Sequence, residues 1–203
     1  MSKLTFRYAT MKSGKSAEAI QIVNNYLYGN KIGCILVPSV DTDAAGSIKT
    51  RFGGGVEVKA KTFTPRTNIH KYVKSLLKEQ RIDFIVIDEA NFLTPEQVDQ
   101  LGDIVDYEGI NVLAYGLTTK FDGTLFDGSK RLMEIADYIE PITVRSICHC
   151  GKKAIFNARI VDGVIVKEGK DIVIDNKDGK RHTIEYVPLC RKCFKENKLK
   201  EGD

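Results

Sequence analysis

An α/β fold built on a mainly parallel sheet is predicted by three features of this sequence. From the N-terminus to about Thr143, short apolar runs alternate with stretches of helical period. A Gly14-Lys15-Ser16 turn stands between the first apolar run and the first helical stretch. After Thr143 the character changes to extended, β-rich segments bracketed by two pairs of cysteines. The chain therefore reads as an α/β unit, residues 1–143, followed by a small β-rich unit, residues 144–203, with the boundary near Pro141. Its 203 residues are enough for both, and 42% hydrophobic with 29% charged residues excludes wholesale disorder.

LTFRY is the first expected strand, and the helix after Ser16 carries Ala19, Ile20, Val23 and Leu27 on one face. GCILVP follows as a strand in which Cys34 is an apolar strand residue, and VEVKA reads as the next strand. A second one-sided helix holds Ile69, Tyr72, Val73, Leu76 and Leu77. DFIVID is a buried strand, and Thr94-Pro95-Glu96-Gln97 then supplies an N-cap, a first-turn proline and a third-position glutamine. INVLAYGL is the next strand. Beyond the boundary, IFNARIV, VIVKE, DIVID and HTIEYV are extended segments interrupted by Asp-Gly turns. No run approaches the roughly 20 apolar residues that span a bilayer, and MSKLTFRY lacks the apolar core of a signal peptide, so a cytoplasmic location is expected. The net charge of +4 is spread along the chain and names no partner.

Ala9-Thr10-Met11-Lys12-Ser13-Gly14-Lys15-Ser16 has the ending of a phosphate-binding loop, with alanine where the motif begins with glycine. Backbone N–H groups of such a loop curl round phosphates, the lysine neutralises their oxygens and the hydroxyl holds magnesium. Alanine fits the first position if its φ is negative or only mildly strained. A strand before and a helix after favour a nucleotide site over an ordinary strand-to-helix turn.

FIVIDEANF supplies the second half of that site. Four apolar residues, Phe84 to Ile87, run into Asp88 and Glu89, and adjacent side chains at a strand exit point to opposite sides. Asp88 would face metal and phosphates, while Glu89 could accept a proton from a substrate hydroxyl. The other reading of the pair is the start of a solvated loop.

Cys148, Cys150, Cys190 and Cys193 form two ligand pairs around a β-rich excursion, the arrangement of a structural zinc ribbon with no open coordination position. The Cys-x-Cys spacing is tight, which leaves His149 as an alternative ligand.

The phosphate loop, IDEANF, GLTTKFDGTLF, CHCGKKAIFNARI and YVPLCRKC together resemble the type II thymidine kinase family in order and spacing over nearly the whole chain. The resemblance implies a P-loop NTPase (RecA-like) α/β domain joined to a zinc domain whose lasso closes over the nucleoside. It implies transfer of the γ-phosphoryl of ATP, with Mg²⁺, to the 5′-hydroxyl of thymidine or deoxyuridine. Glu89 becomes the general base, with Lys15, Ser16 and Asp88 on phosphate and magnesium. Met11, Phe92, Leu117, Phe121 and Phe126 would surround the thymine, Arg159 would contact phosphate, and Tyr186 would contact the nucleoside. A homotetramer, feedback inhibition by dTTP and no nucleic-acid partner are also implied. The sequence departs from the family at Ala9 and Thr10 in place of Gly-Pro, at Asn91 in place of glutamine, at Asp122 in FDGTLF, and in IDNKDGKRHTIEY, which lacks a Gly-Gly before the tyrosine. Two alternatives stand beside this reading. One is a P-loop ATPase whose zinc ribbon binds nucleic acid through Arg191, Lys192, Lys195, Lys198 and Lys200; the other is a catalytically impaired nucleotide-binding member.

Overall fold

The apolar runs become strands because their alternate side chains serve two helical layers. The computed structural model describes residues 1–39, 46–49, 57–142, 146–169 and 183–200. In chain order its elements are β1 (Leu4–Ala9), α1 (Lys15–Tyr28), β2 (Gly33–Pro38), β3 (Ser47–Lys49), β4 (Glu57–Lys59), β5 (Lys61–Phe63), α2 (Ile69–Leu77), β6 (Phe84–Ile87), α3 (Pro95–Tyr107), β7 (Asn111–Leu117), α4 (Asp127–Ile135), β8 (Tyr138–Pro141), β9 (Phe156–Val161), β10 (Val164–Val166), β11 (Ile184–Leu189) and α5 (Arg191–Lys195). Six strands form the main sheet in the order β5-β2-β6-β7-β1-β8, and every neighbouring pair is parallel.

Strand β6 shows why its sequence is continuously apolar. Phe84 and Val86 pack with Ala19, Ile20 and Val23 of α1, whereas Ile85 and Ile87 pack with Ile69, Val73, Val98, Leu101, Ile104 and Leu132 of α2, α3 and α4. A central parallel strand buried on both faces has no polar side to show. Each fully buried large side chain contributes about 1.5–3 kcal/mol, so the two layers hold the sheet from both sides. The α3 start is capped as its sequence predicts: Thr94 and Gln97 form a reciprocal capping box with Pro95 in the first turn.

The segment VEVKA differs from expectation. Its residues Glu57–Lys59 leave the main sheet and pair antiparallel with Ser47–Lys49, and the parallel edge strand is the following Lys61–Phe63. Leu27 also differs, being 49% exposed near the end of α1. Neither α4 nor β8 follows from the apolar pattern, because DGSKRLMEI mixes glycine with charges and YIEP is short and mostly exposed.

The small sheet has the order β10-β9-β11 and is antiparallel. Its first hairpin turns at Asp162 (φ 49°) and Gly163 (φ 81°), both left-handed, as a two-residue Asp-Gly turn requires. Phe156 on β9 stacks on Phe194 of α5 with ring centroids 4.4 Å apart. The expected strand DIVID and the Asp178-Gly179 turn lie outside the described residues. Among the described residues, no helix is long and apolar enough to cross a membrane.

Candidate active site

Three loops leave the carboxyl ends of β1, β6 and β7, the edge of an open parallel sheet where ligands sit. The first is the phosphate-loop segment. Ala9 is still part of β1, paired with Leu117, and among the described residues the positive φ angles of this loop fall on Lys12 (59°) and Gly14 (80°). The alanine is therefore accommodated in extended backbone. Gly14 precedes α1, so the first N–H groups of that helix open toward the loop. The Thr10 carbonyl accepts from Ser13 Oγ at 2.7 Å and from Lys15 Nζ at 3.1 Å, and Ser13 and Lys15 are both buried. This folds the loop round its own lysine.

Ser16 and Asp88, 72 positions apart, meet: Ser16 Oγ donates to Asp88 Oδ2 at 2.9 Å. Asp88 is 5% exposed and its other oxygen accepts from the Glu89 N–H at 3.0 Å. Glu89 itself has φ 51°, a left-handed conformation unusual for a side chain of this size. That backbone turns the chain sharply from β6 into the short 3-10 turn Ala90–Phe92.

The third loop carries the apolar candidates. Leu117 ends β7 and donates its N–H to Asn91 Oδ1 at 3.0 Å, so the residue that departs from glutamine ties the second loop to the third. Phe92 and Phe126 meet edge to face at 5.6 Å. Phe121 is buried, and the Arg159 guanidinium lies 3.5 Å over its ring while Nη2 donates to the Glu168 carbonyl at 2.6 Å. Tyr186 on β11 pairs with Arg159 on β9. The Met11 side chain is half-buried. Asp122 accepts from the Thr124 N–H and hydroxyl at 2.8 and 2.7 Å and thereby shapes the turn.

The four cysteines converge, with all their Sγ atoms within 4.8 Å of one another and Cys150 Sγ 3.6 Å from Cys190 Sγ. A tetrahedral zinc with bonds of about 2.3 Å has sulfur–sulfur edges of about 3.8 Å, so the donor set fits such an ion. The backbone N–H of Cys193, aided by neighbouring thiols, holds the Cys190 thiol well below its ordinary range, while burial and the same neighbouring thiols push the Cys193 thiol up. His149 stands outside the cluster, its Nε2 3.1 Å from the Lys198 carbonyl oxygen. Cys34 is the opposite case: burial pushes its thiol up to about 11, in keeping with an inert strand residue.

Asn157 is absent from the sequence-based candidates, yet its side chain reaches the Met11 N–H at 2.7 Å. Asparagine inside an expected strand, where it is disfavoured, was the available signal.

The chain is similar to known proteins over nearly its whole length. A family model described as thymidine kinase matches residues 2–194. The chain is 39% identical over 197 residues to a thymidine kinase of Francisella tularensis subsp. holarctica (strain LVS), covering 97% of this chain and 98% of that one. It is 40% identical over 204 residues to a thymidine kinase of Enterobacteria phage T4, covering 100% of each. A thymidine kinase of Streptomyces avermitilis is 38% identical over 95% of this chain and 88% of its own length. From its phosphate loop to its last cysteine pair, the chain belongs to the thymidine kinase family.

Proposed function

We propose that this chain is an ATP- and Mg²⁺-dependent thymidine kinase, transferring the γ-phosphoryl of ATP to the 5′-hydroxyl of thymidine or deoxyuridine. Family membership supports the activity, and the observation that carries the mechanism is the meeting of Ser16 and Asp88 beside Glu89. Their 2.9 Å oxygen–oxygen separation matches the edge of an octahedron with bonds of about 2.1 Å, so Ser16 and Asp88 fit a magnesium ion. When bound, that ion neutralises charge on the β and γ oxygens. Lys15 exchanges the Thr10 carbonyl for phosphate oxygen, and the N–H groups at the start of α1 point to the same place.

Glu89 accepts the 5′-hydroxyl proton as the oxygen attacks the γ-phosphorus and ADP departs. Met11, Phe92, Leu117, Phe121 and Phe126 form the thymine surroundings, with Tyr186 above the nucleoside. Arg159 contacts phosphate from its place over Phe121. Residues 1–143 act as the ATP-binding unit, and residues 144–203 hold zinc on Cys148, Cys150, Cys190 and Cys193 and carry the nucleoside-closing lasso. A cytoplasmic homotetramer inhibited by dTTP completes the reading, supported by the family resemblance alone.

The test is the purified, zinc-replete chain with ATP and a nucleoside panel. The expected products are the 5′-monophosphates of thymidine and deoxyuridine. Absence of both, or ATP hydrolysis stimulated by DNA in their place, overturns the reading in favour of a nucleotide-binding or strand-binding protein.

A further inference from the structure

The backbone of Met11 is held from outside the main sheet. Its N–H donates to Asn157 Oδ1 at 2.7 Å, and its carbonyl accepts from Ser146 Oγ at 2.9 Å. Asn157 lies on β9 of the small sheet, 2% exposed, and its Nδ2 reaches the Thr119 carbonyl at 3.4 Å. One amide side chain thus joins the phosphate-loop segment to the loop after β7.

Two features make these bonds consequential. Lys12, the next residue, takes a left-handed φ of 59°, a conformation that neighbouring contacts must hold in place. A cavity of about 70 Å³ adjoins the loop, with Ala9, Thr10, Ser13, Ser146, Ala154 and Ile155 among its lining residues. Beside it the Met11 peptide is held by two directional hydrogen bonds, from Asn157 and Ser146. The sheet itself has no need of an asparagine at a buried position of β9, where an apolar side chain packs better.

We propose that Asn157 is a positioning residue for the phosphate loop, with Ser146 as a second anchor. The small sheet orients the Met11 peptide and, through it, the N–H groups from Lys12 to Ser16 that face the phosphates. Asn157 touches no substrate in this scheme. The inference rests on the reading of this loop as the ATP site.

The experiment uses the full metal-loaded chain with Asn157→Ala and Ser146→Ala. ATP binding is measured by calorimetry, thymidine KM by steady-state kinetics, and the exposure of residues 9–16 by amide hydrogen exchange. Loss of a buried hydrogen bond predicts an ATP Kd weakened about tenfold in Asn157→Ala and roughly threefold in Ser146→Ala. Thymidine KM should rise less than the ATP Kd, because the lost bonds hold the Met11 peptide rather than its side chain, and exchange should quicken in residues 9–16 while β9 keeps its protection. Asn157→Asp retains an oxygen for the Met11 N–H and should restore slow exchange in residues 9–16.

Unchanged ATP binding in the folded variants overturns the proposal. So does an equal weakening of ATP and thymidine accompanied by a fall in Tm, which marks a general structural defect. Should Asn157→Ala fail to fold, Ser146→Ala decides on the same readouts. A wild-type chain that binds ATP but phosphorylates no nucleoside overturns the proposed activity, while the comparison of Kd values still decides the role of Asn157.

Discussion

At Glu89 the side-chain role and the backbone conformation belong to one argument. Its left-handed φ of 51° costs about 1–2 kcal/mol for a non-glycine residue. The Asp88 carboxylate, accepting the Glu89 N–H at 3.0 Å, helps to hold that conformation. Strain of this kind concentrates where a side chain must be aimed. Glu89→Gln keeps the shape and removes the proton acceptor, so kcat should fall by about 10²–10⁴-fold with ATP affinity within about twofold of wild type. A variant with near-normal turnover removes Glu89 from the base role. The sequence names Lys15, Ser16, Asp88 and Glu89 as candidates, and the structure brings Ser16, Asp88 and Glu89 together. Their backbone was less legible. The sequence directs attention to Ala9, but the unusual dihedrals fall on Lys12 and Glu89, where nothing in residue type announces a left-handed turn.

Elements show where pattern and packing part company. DFIVID was readable because a strand covered on both faces must be apolar throughout, and the α3 start was readable because its capping chemistry is local. VEVKA has the same alternation whether it joins a parallel or an antiparallel partner, so its sequence could not choose between them. Helix α4 escaped notice because Gly128 lowers helix propensity. The structure explains the glycine: a Cβ there would lie 2.5 Å from the Leu93 carbonyl oxygen and 2.9 Å from that of Ala90. Close approach, rather than backbone freedom, is what this position requires. Alanine is ordinarily better than glycine in a helix by about 1 kcal/mol. At Gly128 the sign should reverse, with Gly128→Ala destabilising by about 1–3 kcal/mol in urea unfolding. Because the displaced carbonyls belong to the turn following Glu89, kcat should fall as well. A stabilised variant with full activity would contradict the packing argument.

For the molecule as a whole, the sequence correctly separates an α/β part from a cysteine-rich part, because the period of the apolar residues changes between them. What it does not show is how the parts meet, since the Met11–Asn157 and Met11–Ser146 bonds cross 146 and 135 positions and use common residue types. Metal removal tests that joint. Site formation by four thiolates is coupled to local folding, so a chelator should open residues 146–169 and 183–194 to proteolysis while β1, β6 and β7 keep their slow amide exchange. ATP affinity should fall with the metal, and restoring zinc should recover both. Full protease resistance in the metal-free chain would show that the small sheet stands without its metal.

The Thr10 carbonyl has a consequence for how the loop presents its lysine. It accepts from Lys15 Nζ and Ser13 Oγ, so one of the three ammonium N–H donors is spent on holding the lysine at the loop. Under the proposed function a triphosphate would meet the lysine, the helix start and the Ser16–Asp88 pair at once. A single backbone oxygen thereby sets the position of the cation that the proposed phosphate site requires.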